Sequence, residues 1–249
     1  GQPEPMAATA RSAAELGAPV IDLNFGCPAK TVNNHDGGAT LLQRPCRVQD
    51  VVAAVRAAVP EHVPVSAKVR LGWDSSANIV EIARAAEAGG ASWLTIHART
   101  RLQLYAPPVD WGAIGRARAA VGIPVVANGD LCTTDDLARC GELSGCTAFM
   151  IGRAAMADPW LFRRARGETL PGFDAVAMLA LLARYCDALL DSGIGERGAL
   201  ARLKQWLRFA AMLHEPMTRA FQAAKTCVTV SDALARLGDA LAEPQRRTG

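Results

Sequence analysis

The sequence predicts an α/β fold built on a parallel sheet and followed by an all-helical segment. Two observations carry this. Between Val20 and Gly152, β-rich runs recur about every 30 residues with helical patterns between them, the signature of stacked βα units. After about Pro171 those runs stop, and only helical periodicities remain.

The elements follow in order. A helical pattern covers Met6 to Leu16, and Val20 to Phe25 (VIDLNF) reads as a strand. Val48, Val51, Val52, Val55 and Val59 repeat at helical spacing, and Pro60 closes that helix. Val63 to Leu71 is the next strand, Asn78 to Ala88 an alanine-rich helix ended by Gly89-Gly90, and Trp93 to Ala98 a third strand. Trp111 to Ala120 is helical and Ile123 to Gly129 is a strand. Thr133 and Thr134 are N-cap candidates for a helix through Leu143, and Ala148 to Gly152 is the fifth strand. The tail reads as helices over Phe173 to Leu190, Gly198 to Leu213, Pro216 to Val228 and Asp232 to Leu241. The expected division is therefore an α/β domain over 1–170 and a helical domain over 171–249.

Composition narrows the class. Half of the 249 residues are hydrophobic and 20% are charged, an ordinary globular balance. No apolar run of about 18 residues is present, so no transmembrane helix is expected, and no basic-then-apolar leader pattern opens the chain. Seven cysteines, an odd number without a CxxC pair, speak against a disulfide framework or a zinc site. A reducing cytosol is the expected compartment, and no metal is expected. The net charge of +3 does not by itself point to nucleic acid, but its distribution is uneven: residues 160–249 carry a net +4 and residues 1–159 a net −1.

Right-handed crossovers place all strand C-termini on one face. The polar and glycine punctuation falls at those ends: Asn24 to Cys27, Lys68 and Arg70, His97, Asn128 to Asp130, and Gly152 with Arg153. Cys27 is held between Gly26 and Pro28. A thiol there can be a nucleophile, a metal ligand or a proton donor, and the plain alternative is a buried loop cysteine. Lys68 lies inside a strand where an exposed face would let it snorkel. A strand covered on both faces gives an inward lysine a role instead, and Arg70 shares its parity. A histidine such as His97 at an apolar strand end is as often a satisfied core residue as a ligand contact. The glycines of the last two strand ends match the phosphate-binding loops of barrel enzymes. In the tail, Lys204 and Arg208 share a helix face, whereas Arg202 and Lys204 do not.

Taken together, DLNFGCPAKTV…GGATLL, VSAKVRLGW, IHART, VVANGD and MIGR resemble the tRNA-dihydrouridine synthase family, in order and spacing, over residues 20–153. The tail ARLKQWLRF…AFQAAK resembles the bacterial C-type branch, which reduces uridine 16 of the tRNA D-loop. The resemblance implies a TIM (β/α)8 barrel followed by a helical-bundle domain that binds tRNA. Five strands fall short of the eight that a closed barrel needs. Aligned to the family, the chain lacks the first three strands, so the expectation is a fragment that retains flavin poorly by itself, within a full-length enzyme that is active.

The implied cofactor is FMN, reduced by NADPH. The target uracil is taken out of the RNA stack, a hydride goes to its C6, and Cys27 gives a proton to C5. Asn24 would hold the uracil. Lys68 and His97 would contact the flavin. Asn128, Gly129, Asp130, Gly152 and Arg153 would grip its phosphate. Arg70 and Tyr105 would face the RNA, as would Arg202, Lys204, Phe209 and Lys225 of the tail. Phe209 stands where the C-type branch has tyrosine, keeping the ring without the hydroxyl. Lys225 stands for an arginine, keeping charge without the bidentate fork. A cytoplasmic monomer without an obligate protein partner is expected. His35 and Asp36, though close in sequence to Cys27, are not expected to be its catalytic partners.

Two other classes compete. A flavin oxidoreductase acting on a free pyrimidine would share the barrel, but it has no use for a basic helical tail. A non-catalytic RNA-binding protein would not need Asn24, Cys27, Lys68 and His97 together.

Overall fold

A computed structural model describes residues 1–242. The chain divides into two compact units, 1–131 with 135–151, and 132–134 with 152–249.

The first unit contains α1 (Pro3–Glu15), β1 (Ile21–Asn24), α2 (Lys30–Asn34), a 3-10 helix (Gly38–Gln43), α3 (Pro45–Ala58), β2 (Val65–Arg70), α4 (Ile79–Ala88), β3 (Leu94–His97), α5 (Trp111–Arg118), β4 (Val125–Asn128), most of α6 (Thr134–Ser144) and β5 (Ala148–Met150). All five strands are parallel, in the order β1-β2-β3-β4-β5. The winding never reverses, unlike a doubly wound sheet, where strand order turns back on itself.

Register sorts the side chains onto two chemically different faces. Asn24 lies opposite Lys68, Lys68 opposite Thr95, Arg70 opposite His97, and His97 opposite Asn128. With a period of two, Asp22, Asn24, Ser66, Lys68, Arg70, Thr95, His97 and Asn128 all share one face. The other face holds Ile21, Leu23, Val65, Ala67, Val69, Leu94, Ile96, Val125 and Ala127, all buried. Those residues form one core with the valine stripe of α3 (Val48, Val51, Val52, Val55) and with Ile79, Ile82, Ala83 and Ala86 of α4. Each fully buried valine or leucine contributes about 1.5–3 kcal/mol of transfer free energy. Asp110 opens α5 by accepting a hydrogen bond from the Ala113 amide, an N-cap.

The second unit contains α7 (Arg153–Ala157), α8 (Leu161–Ala165), α9 (Ala175–Asp191), α10 (Glu196–Ala210), α11 (Glu215–Ala224) and α12 (Val230–Ala242). Its core joins Met178, Leu182 and Cys186 of α9, Leu203, Trp206 and Leu207 of α10, Met217 and Ala220 of α11, and Ala233 and Leu237 of α12.

The strands and long helices lie within a few residues of their sequence expectations. The division does not: it falls at Ile151/Gly152 rather than at 170/171. The reason is packing. Met156 and Trp160 lie against the helical core, and Trp206 Nε1 donates to the Met156 carbonyl. The segment after β5 therefore belongs with the helices. Residues 243–249 of the expected helical domain lie outside the described residues. The short α2, the 3-10 helix, α7 and α8 have no counterpart among the sequence expectations, because five or six residues are too few to display a period.

Candidate functional site

The site is built at the C-terminal ends of β1 to β4. β1 ends at Asn24, whose Oδ1 accepts the Gly26 amide at 2.9 Å, an Asx turn that bends the chain out of the sheet. Phe25 still donates to the Lys68 carbonyl at 2.8 Å, so the bend starts flush with β2. Arg70 Nε donates to the Gly26 carbonyl at 2.9 Å. Cys27 follows, half-buried and free.

The return of this loop depends on Gly38. Its φ is +59°, and a Cβ there would lie 2.8 Å from the Cys27 carbonyl oxygen and 3.0 Å from the Cys27 Cβ. Only glycine lets the chain fold back this close. His35 Nδ1 donates to Thr31 O at 2.6 Å, and Asp36 pairs with Arg47 at 2.6 Å. Both side chains are thus occupied within the first unit.

Lys68 is half-buried on the polar face, directly opposite Asn24. Among the described residues its ammonium has no hydrogen bond or ion pair. Burial holds its pKa below the ordinary lysine value, Arg70 adds to that, and Asp22 opposes it. An unpaired, partly desolvated cation of this kind fits an electron-rich ligand edge.

His97 ends β3, 7% exposed. Burial first, then the charges of Arg70, Lys68 and Arg99, push its pKa down to about 3, with Asp130 opposing. The imidazole is therefore neutral at physiological pH. The linkage has a definite sign. An unfolded histidine takes up its proton near 6.5, and the folded one only near 3. Stability is then unaffected above about pH 6.5 and falls as pH drops from there toward 3, because the unfolded chain binds the extra proton. Urea midpoints measured from pH 7.5 to 4.5 are expected to fall more steeply for the parent than for His97→Gln; parallel curves would remove His97 as a cause.

Arg70, expected to face RNA, is 2% exposed instead. Besides Gly26 O, it donates through Nη1 to Thr100 O (3.1 Å) and Leu104 O (2.7 Å). It ties the Cys27 turn to the segment after β3 rather than offering itself to a ligand. Tyr105, on that segment, is 56% exposed. Its ring centroid lies 5.5 Å from the Arg70 guanidinium carbon and 6.3 Å from the His97 ring.

Asn128, Gly129 and Asp130 turn at the end of β4. Asn128 Nδ2 donates to Met150 O at 2.7 Å. Gly129 has φ +123°, and a Cβ would meet His97 Cδ2 at 3.1 Å and Ala98 Cβ at 3.2 Å. Trp111 Nε1 donates to the Gly129 carbonyl at 2.9 Å, locking the turn from below. Asp130 follows at φ +48° and is gripped through both carboxylate oxygens by Arg99. The other expected phosphate residues belong to the second unit: Gly152 directly precedes α7, and Arg153 is its first residue.

The sequence reading missed three participants. Arg99 is 1% exposed and also donates to Ala106 O at 2.7 Å. Its signal was available: the alternation that places His97 on the polar face, carried two residues further, reaches Arg99. Arg101 follows by the same step. Asn33, buried in α2, carries no periodic signal: it bonds the carbonyls of the loop around it, Cys27 and Gly37, and is joined by Arg101 from 68 residues away.

In the second unit, Arg202 and Lys225 are exposed; the Arg202 side chain donates to Gln205 and the Lys225 side chain to Gln222, each three residues away. Lys204 differs: its Nζ donates to Cys227 O at 2.7 Å, joining α10 to the turn between α11 and α12. Phe209 is half-buried in the last turn of α10. Among the described residues, no group of His, Cys, Asp or Glu could hold a metal ion, and no helix is long and apolar enough to cross a membrane.

Residues 1–239 match the family model for dihydrouridine synthase. A relative from Ralstonia nicotianae named tRNA-dihydrouridine(16) synthase is 42% identical over 95% of this chain and 75% of its own length. One of the same name from Cupriavidus necator is 52% identical over 66% of this chain and 51% of its own length. The Escherichia coli K12 protein so named is 43% identical over 88% of this chain and 70% of its own length. The chain thus spans between about half and three quarters of these relatives.

Proposed function

Because the chain belongs to the dihydrouridine synthase family, we propose that it carries the machinery that reduces uridine to 5,6-dihydrouridine in tRNA, at position 16, with FMN as cofactor and NADPH as reductant. The observation that carries this reading is one polar sheet face on which the Cys27 turn, the unpaired Lys68 ammonium and the neutral His97 ring converge. The singly wound order of the sheet supports this reading, since a (β/α)8 barrel is wound the same way and takes its ligands at the C-terminal ends of the strands.

FMN, when bound and reduced, supplies the hydride equivalent for uracil C6. The residues do the rest. Lys68 offers a cation to the flavin's electron-rich edge, and its lowered pKa marks it as desolvated and ready for a compensating partner. The neutral His97 offers a hydrogen bond without a charge. The backbone of Asn128, Gly129 and Asp130 is turned at the strand end where a phosphate is received. Asn24 keeps its turn through Oδ1, which leaves Nδ2 to donate to a uracil carbonyl. Cys27 delivers a proton to C5 and regains one from solvent. The exposed Arg202 and Lys225 meet RNA phosphates, with Phe209 as a stacking surface beside them.

The direct test combines the purified full-length protein with FMN, NADPH and unmodified tRNA and maps dihydrouridine by mass spectrometry. One dihydrouridine at position 16 is expected. Equal activity on free uridine would make the protein a small-molecule reductase instead, and no reduction despite bound FMN would remove the enzymatic reading.

The tail makes a separate prediction. Affinity for tRNA should fall with salt, and Arg202→Ala or Lys225→Ala should each reduce the log–log slope by roughly 1. Lys204→Ala should instead lower the melting temperature, since its ammonium holds the Cys227 carbonyl. Filter binding from 50 to about 300 mM salt reads the slope; unchanged slopes in both exposed variants would place the RNA surface elsewhere.

A further inference from the structure

The Cys27 turn is gripped from behind by one carboxamide. Asn33 is 9% exposed. Its Nδ2 donates to Cys27 O at 3.0 Å and to Gly37 O at 3.0 Å, and its Oδ1 accepts Arg101 Nε at 2.9 Å. The Cys27 carbonyl also accepts the Ala39 amide at 3.1 Å. Arg101 is itself fixed: its amide donates to Gly72 O at 2.9 Å, and its guanidinium carbon stands 4.7 Å over the Trp73 ring. Asn33 and Arg101 are far apart in sequence, on α2 and on the segment after β3.

We infer that Asn33 and Arg101 are positioning residues that fix the direction of the Cys27 thiol. The inference rests on the reading of Cys27 as the proton donor. Two hydrogen bonds on the Cys27 carbonyl set the peptide plane, and the close approach of Gly38 blocks the space behind its Cβ. The thiol is thus carried on a fixed backbone at the end of β1. Only an amide can make this junction. Aspartate at 33 would accept from Arg101 but face two carbonyls with a carboxylate, and leucine would take one hydrogen bond from each carbonyl and leave Arg101 Nε without its acceptor. Proton delivery to a carbon depends on the donor's placement, and a shift of about 1 Å can cost roughly a hundredfold.

The test measures kcat, KM for tRNA and melting temperature in Asn33→Ala, Arg101→Gln and the double variant, with Cys27→Ala in parallel. Each single variant should lose at least about tenfold in kcat with KM for tRNA unchanged. The double should lose no more than the worse single, because both act through one contact. Iodoacetamide labelling of Cys27, followed by mass spectrometry, reads the thiol without turnover and should quicken at least about threefold in both singles as the turn loosens. Should Asn33→Ala not fold, Arg101→Gln, on the half-exposed end of the pair, carries the same expectations.

Parental kcat and labelling rate in folded variants, a loss confined to KM, or losses that multiply would overturn the inference while leaving Cys27 as donor, provided Cys27→Ala is inactive. An active Cys27→Ala would overturn the reading beneath it.

Discussion

Replacing Cys27 with alanine is expected to lower dihydrouridine formation by about 10²–10⁴-fold, the range for losing a positioned general acid. The change is otherwise small. Cys27 is half-buried, its carbonyl keeps both hydrogen bonds, and Gly26 and Gly38 keep the turn. Melting temperature, FMN content and tRNA affinity should therefore stay near those of the parent. The decisive measurement is single-turnover: the flavin is reduced beforehand, tRNA is added, and dihydrouridine is counted by mass spectrometry. Slow product with normal binding supports the assignment. Parental rates would show that the proton comes from elsewhere, with solvent the next donor to test.

Arg99→Ala should produce the largest loss of stability among the site residues. Arg99 is the largest fully buried side chain among the described residues, and it holds Asp130 through two hydrogen bonds and Ala106 O through a third. Removing it leaves the carboxylate and a carbonyl without these partners and opens a void, a combination that costs about 3 kcal/mol. The functional effect follows from the backbone. Asp130 sits at φ +48° directly after Gly129, in the left-handed region, which aspartate tolerates better than most side chains but which its pairing with Arg99 helps to hold. Loss of Arg99 releases that constraint where the cofactor phosphate is proposed to bind. Urea unfolding reads the first effect, and absorbance at about 450 nm after desalting reads the second. Arg99→Lys should not rescue, since a point charge cannot grip both oxygens. A variant with parental stability and full flavin would leave the pair without this role.

Much of the fold was legible because its period is strong. The valine stripe of α3 and the polar alternation in VSAKVRL announce themselves locally, and both residue sets lie where that pattern puts them. The candidate site was legible along the strands for the same reason: Lys68 within β2, and His97 and Asn128 at the ends of β3 and β4, inherit their direction from those strands. The illegible residues act across loops. Asn33 reads as an ordinary polar residue until Arg101 and Cys27 are brought to it in three dimensions. Arg70 reads as a ligand contact by parity, yet burial turns it toward three carbonyls. Charge pattern alone does not distinguish an arginine that meets a ligand from one that ties loops together. Lys204 and Lys225 make the same point in the tail, one holding a helix turn and the other exposed.

The singly wound sheet also bears on how the chain acquires its structure. Asn24 must find Lys68, Arg70 must find His97, and Asn128 must find Met150, so every ladder joins segments more than twenty residues apart. No hairpin is available to nucleate the sheet, and each loop must be closed before any ladder repays its entropy. The helices of the second unit form from neighbours along the chain. The polar strand-end residues therefore come together only after these long loops have closed. The Cys27 turn stands beside Lys68 only once β1 has paired with β2.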